Sequence, residues 1–451
     1  MSSNDSDIMA MRFGLGPAAS GEDWSPDGMV RSLTMLPPDK LLTYPSAAER
    51  LVEGYKLAAV RRKASGTERM TARKRYNDFT LGSYRLDVHH RIVWGATTAL
   101  SFAERLLAFW SNHFTVSKRK PTLRAVLGPY EAEALLPHIG GRFADLLKAA
   151  VKHPAMLLYL DQAGSVGPNS QAGKRKNRGM NENLAREILE LHTLGVHGGY
   201  GQSDVVELAK VMTGWTVDRA TGQTQFRRNQ AEPGVKTVLG RSYGGSRPQA
   251  GDFDAVLDVL AVQPATARHV ATKLVTHFIS DRPPESAIIA VAERFMASAG
   301  DLLQVYRALA ETPEARSHLG AKARNDRDFL IALLRAAEVP AERLAPDEKR
   351  RNRAPLTTGA LAVLRQEYWD APSPAGWPEA AEEWLSPEGL AGRLQLIPRI
   401  VREAAVKTPE ELMERALGSI VSERTRRIVG AASNREEAMA LVLASPEFNR
   451  R

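Results

Sequence analysis

The sequence contains no cysteine. Disulfides, thiolate nucleophiles, iron–sulfur clusters and thiolate zinc sites are therefore excluded, and any metal would need His, Asp or Glu ligands. Long apolar runs are missing too: none approaches the roughly 20 residues that cross a bilayer as a helix. The first residues, MSSNDSDIMAMRFGLGP, have no basic stretch followed by an apolar one, so no signal peptide is expected and the cytoplasm is the expected location. Common catalytic signatures are absent as well. There is no HExxH, no GxxxxGKS/T loop, no GxGxxG after a strand and no GxSxG elbow.

What remains suits a globular protein with a sizeable core: 451 residues, 43% hydrophobic and 25% charged. The net charge of +9 comes from basic clusters at 61–75, 117–120 and 173–179. None is interleaved with the aromatic residues that stack bases, so nucleic acid is not the expected partner. A small molecule or an acidic partner is, with no membrane span.

Helical signals dominate and strand signals are sparse. The expected fold is all-α: one helical array over 1–451 with long loops and at most a small β-hairpin, near 222–245. Residues 325–451 are a candidate C-terminal lobe. Segments 64–75 and 164–179 read as mobile, as does the Pro-rich stretch 370–378. Arg91–Trp110 reads as one long, central, apolar helix, and Gly141–Asp161 as two short helices joined at Pro154.

The stretch NENLAREILELHTLGVHGGY, Asn181–Tyr200, carries the densest chemistry. Asn181 or Asn183 can cap its start and Gly195 its end. At about 100° per residue, Asn183, Glu187 and Glu190 share one stripe. Leu184, Ile188 and Leu191 flank it on one side, and Arg186 and Glu182 on the other, so the carboxylates are expected to be buried. Buried carboxylates must be paired, metal-bound or protonated. One reading is an ion-pair ladder through Glu182, Arg186 and Glu190. The other makes Glu187 and Glu190 acid/base groups or ligands. His192 points elsewhere and reads as a core histidine. Further candidates are Asn112 and His113 in FWSNHFTVS and Asp161 at the end of MLLYLD. His269, Lys273 and His277 share one helix face; the two readings are a phosphate- or carboxylate-binding face and, favoured, a solvated basic stripe. Asp87 and His90 have a spacing used in bundle metal sites.

FWSNHFTVS, HPAMLLYLDQAGSVGPNS, the block Asn181–Trp215, KTVLG, PATARHVATKLVTHFISD, PSPAGWPE and LASPEF follow one another in an order that resembles the bacterial "domain of unknown function 1800" family. The resemblance runs along essentially the whole chain. It implies a largely helical protein and supplies no reaction. Many members look exported and lie beside a family with a sulfatase- or phosphatase-like fold. The family's polar positions fall on Asn112, His113, Asp161, Asn183, Arg186, Glu187, Glu190 and His192. Two positions depart from its pattern: Gln230 or Ala231 stands where a histidine is usual, and Leu136 precedes Pro137 where an arginine is usual.

The expectation is an enzyme of unassigned, by default hydrolytic, reaction. Glu187, Glu190, Arg186 and His113 are its expected catalytic groups. Asn112, Asp161, Asn183 and His192 are the expected substrate-binding groups, with metal and cofactor left open. The competing expectation is a non-catalytic helical scaffold or binding module with a buried ion-pair ladder.

Overall fold

The computed structural model describes residues 3–17, 21–35, 44–176, 179–344 and 356–451. These residues form 25 α-helices and two small two-stranded antiparallel sheets. Helix starts follow side-chain chemistry. Ser25, Ser46, Asp301, Asn325, Ser386, Thr408, Ser422 and Asn434 each accept a hydrogen bond from an early helical N–H. Pro154, Pro264, Pro387 and Pro409 occupy first helical positions, where a missing N–H is harmless.

Three local expectations change. The long apolar helix is two helices, Glu68–Thr97 and Ser101–His113. The chain turns extended at Thr98, whose hydroxyl takes the N–H of Leu100, and Glu22 then caps the second helix through the N–H and hydroxyl of Ser101, both at 2.6 Å. The segment 222–245 joins two hairpins: Trp215–Val217 with Thr224–Phe226, and Gly234–Val238 with Arg241–Gly245. The stretch Asn181–Tyr200 is α-helical only over Asn183–Glu187 and continues as a π-helix, Ile188–His192. The Thr193 hydroxyl donates to the Ile188 carbonyl, closing the wider turn. π segments are rare and recur at functional sites.

Buried apolar side chains form one continuous core from Met9 to Phe448. Arginine–carboxylate contacts cross it. Arg91, fully buried, pairs with Glu104 and, at 2.7 Å, with Glu131. Arg105 and Arg451 converge on Asp328. Arg393 holds Asp326 at 2.8 Å. Arg50 grips Asp87 through two nitrogens at 2.6 and 2.9 Å, so Asp87 is an ion-pair partner and not half of a metal pair with His90. Among the described residues, no three His, Asp or Glu side chains gather as a metal site.

Removing one partner of such a pair strands the other charge in the core. Arg91→Met is expected to cost about 3–5 kcal/mol in urea unfolding. A loss below about 1 kcal/mol, the ordinary value for an exposed pair, would refute that role for Arg91.

Candidate functional site

Three groups of side chains need placing. The first is the acidic motif. Glu187 and Glu190 are half-buried, not buried, and Asn183 is exposed. The widened π turn changes the angular phase after Ile188, and the helix buries only the side carrying Leu184, Ala185, Ile188, Leu189 and His192. Arg186 meets Glu182 at 3.5 Å on the surface, with Gln202 bridging the two, and forms no ion pair with Glu190. The ladder is thus one open pair. Glu187 has no hydrogen-bond partner among the described residues; partial burial and the neighbouring Glu190 push its carboxyl above the usual range. Tyr159 and Tyr200 lie within its electrostatic reach.

Asp161 is also exposed. It follows the helix Pro154–Tyr159 in a left-handed conformation, φ 60°. Lys120 pairs with it at 2.6 Å and also takes the carbonyls of Leu158 and Tyr159. Asp161 and Gln230 both line an open cleft of about 890 Å³ on this side of the molecule.

The second group is basic and inward. His113 sits among Phe109, Trp110, Phe114 and Phe143. Its Nε2–H donates to the His192 carbonyl at 3.1 Å, and His269 Nε2–H donates to the Leu191 carbonyl at 3.0 Å. Lys273 adds its charge beside all three histidines. The stripe His269–Lys273–His277 therefore packs against the protein, with His277 buried and His269 and Lys273 half-buried. Gly195 allows this packing: at φ 83° a Cβ there would come within 2.9 Å of the His269 ring.

The third group lines a cavity of about 50 Å³ between the helices Ser101–His113 and Pro264–Phe278 and the loop 365–379. That volume holds a few water molecules. The loop is held from several sides. Asn112 exchanges two hydrogen bonds with the Trp377 backbone, at 3.0 and 2.7 Å. Gly376 makes this approach feasible, since a Cβ there would lie 2.6 Å from the Asn112 carbonyl oxygen. Trp369, at φ 52°, donates from its indole to Glu131. Lys118 binds the Trp369 carbonyl and pairs with Glu367 and Asp370.

Within the cavity wall, His277 Nδ1–H donates to Glu379 at 2.7 Å. The carboxylate can only accept, so the neutral ring carries its proton on Nδ1 and leaves Nε2 bare. Burial drives the ring pKa down to about 3, opposed by Glu379. Glu379 is held well below the usual carboxylate range: burial raises it, but His277, Lys322 and Arg451 outweigh that. His277 Nε2, Arg327 Nε and Tyr368 Oη are buried and have no hydrogen-bond partner among the described residues. All three residues line this cavity. Ser111 is there too, but its hydroxyl is spent on Glu131.

A family model described as "Protein of unknown function (DUF1800)" matches residues 9–450. The chain belongs to the DUF1800 family. No curated protein and no solved structure matches it. The polar positions that the motif suggested for this DUF1800 chain divide in space. Asn112 supports the cavity, His113 and His192 form the basic cluster, and Asn183, Arg186, Glu187 and Glu190 lie together on the helix that follows Asn181. No hydrogen bond or ion pair among the described residues joins the glutamates to His113. Sequence reasoning assigned no site role to Glu379 or Arg327, and read His277 and Lys273 chiefly as part of a solvated stripe, with phosphate or carboxylate binding as the alternative. The signal was present in RHVATKLVTH and in the glutamate closing PSPAGWPE.

Two outcomes follow for the DUF1800 chain. His192, His269 and His277 are held neutral by burial, with pKa values lowered to about 3, 4 and 3. Free histidine titrates near 6.5, so below that pH the unfolded chain binds protons that the folded chain refuses. Their contribution to stability is complete above about pH 6.5 and drains away as pH falls toward 3–4, by up to about 1.4 kcal/mol per pH unit for each ring. His192→Leu should flatten the unfolding free energy against pH between pH 6 and 4; an unchanged slope would show that His192 does not titrate this way. Glu187→Gln, which relieves repulsion from Glu190, should leave the melting temperature at pH 7 equal or higher. A clear drop would mean that the Glu187 carboxylate holds the fold.

Proposed function

We propose that the chain is a hydrolase whose reacting groups line the cavity at His277. The observation that carries this is that three residues lining it each carry a buried, unpartnered polar atom: one lone pair, His277 Nε2, and two donors, Arg327 Nε–H and Tyr368 O–H. Other buried polar atoms of the protein also go unpartnered, but these three belong to residues that line one small polar cavity, which suits a water or reacting group held there. The roles divide by chemistry. Glu379 fixes the His277 tautomer and offsets the charge that forms when the ring takes a proton, as the carboxylate does in a carboxylate–histidine pair. His277 Nε2 removes a proton from a water seated in the cavity. Arg327 and Tyr368 face the oxygen on which negative charge grows as that water adds to an electrophilic centre. Asn112 positions the loop that closes the site. This reading puts the base at His277 and not at Glu187 or Glu190.

The test is a hydrolysis screen with aryl esters, aryl phosphates and aryl sulfates, followed by variants on any substrate turned over. His277→Gln is expected to lower kcat/KM by about 10²–10⁴, the usual worth of a general base. Arg327→Met should lower kcat more than it raises KM, because it serves the transition state. Undiminished hydrolysis in folded His277→Gln would remove the base from this position. An inert wild-type protein across the screen would favour the scaffold reading.

A further inference from the structure

Behind the cavity, on the same helix Pro264–Phe278, lies a second polar cluster that the proposed hydrolysis does not use. His113 and His192 are fully buried; His269 and Lys273 are partly exposed and open the cluster toward solvent. His113 Nδ1 and both ring nitrogens of His192 have no hydrogen-bond partner among the described residues. Among the described residues Lys273 forms no ion pair or hydrogen bond. Among the described residues, the carboxylate that reaches it electrostatically is Glu379, which already serves His277 and Lys322.

The hydrogen-bond accounting specifies a ligand. Because His113 and His269 donate through Nε2, their Nδ1 atoms present lone pairs. Neutral His192 presents one N–H and one lone pair, and Lys273 presents its N–H donors and a positive charge. A fully ionised anion would satisfy the donors and repel the lone pairs. A simple cation would be repelled by Lys273. A small oxyanion that still carries a proton satisfies both kinds of group, its bare oxygens accepting and its O–H donating.

We propose that Lys273, His192, His113 and His269 form a binding site for a small protonated oxyanion of the hydrogen-phosphate or bicarbonate kind. Lys273 supplies the counter-charge at the open end. The ring nitrogens of His192 and His113 close the inner end.

The experiment is isothermal titration of the full chain with inorganic phosphate and, separately, with bicarbonate, chloride serving as the control. Saturable binding near one ion per chain is expected for at least one oxyanion, and which one answers identifies the source. Lys273→Met should weaken it at least ten-fold, while His277→Gln, outside this cluster, should leave it within two-fold. If Lys273→Met does not fold, Lys273→Gln replaces it. The wild-type protein gives a reading that depends on no variant: bound ion should slow acetylation of Lys273 by acetic anhydride several-fold, as read on the peptide by mass spectrometry. No saturable binding of either oxyanion, binding unchanged in the folded Lys273 variant, or acetylation of Lys273 indifferent to the ion would each overturn the proposal. Because His277→Gln is read here by binding alone, loss of the hydrolysis reading and loss of this one remain distinguishable.

Discussion

The contact on which most else depends is the ion pair between Arg91 and Glu131. Removing two charges from water costs several kcal/mol per ion unless the remaining hydrogen bonds are made. Here Glu131 makes them with segments that must stay together, while Arg91 Nη2 and Glu104 Oε1 have no partner among the described residues. Arg91 comes from Glu68–Thr97, and Glu104 and Ser111 from Ser101–His113. Glu131 opens the π segment Glu131–Leu135, and Trp369 reaches it from the loop 365–379. One carboxylate therefore ties two helices, a π turn and a loop into a single arrangement. Ser111 and Trp369 are also part of the cavity wall. The core charge network and the candidate site share atoms, so the position of the loop is set by electrostatics deep in the protein.

The far wall is built in the same way. Asp328 receives Arg105, Arg327 and Arg451, and Arg451 also donates to the His277 carbonyl. Arg327 is thereby aimed by a buried carboxylate while its Nε stays unspent. Lys322 restrains Glu379 and donates to its backbone carbonyl at 2.5 Å. Positioned groups with a locked second layer are what precise acid–base chemistry requires. A neutral, carboxylate-oriented imidazole begins each cycle unprotonated, and Glu379 is the group that opposes the loss of basicity that burial imposes.

Most of the fold was legible in the sequence because helix caps and 3.6-residue periodicity are local signals. The break at Thr98 was not, because its stabilising cap, Glu22, lies 79 residues from Ser101. The π turn at Ile188–His192 was equally hidden. It is a departure from the 100° step on which the placement of Glu190 relative to Glu187 rested, and it left Glu190 half-buried. At the site, Asn112, His113 and His192 stood out as polar groups among aromatics or next to a glycine turn. The basic stripe of His269, Lys273 and His277 was visible as a face but not as an inward one. Charged stripes usually face water. Only the distant partners, the Leu191 carbonyl and Glu379, turn this one inward. Glu379 itself sits in a loop with no periodicity to mark it.

The central claim is that His277 is neutral, protonated on Nδ1 and bare on Nε2. Nitrogen-15 spectra of the histidine-labelled protein at pH 7, with the His277 signal assigned by its loss in His277→Gln, measure this directly. The expected result is a neutral ring with its proton on Nδ1 that resists protonation down to about pH 4, consistent with a pKa near 3. A ring already cationic at pH 7, or one protonated on Nε2, would leave no lone pair facing the cavity and would contradict the account.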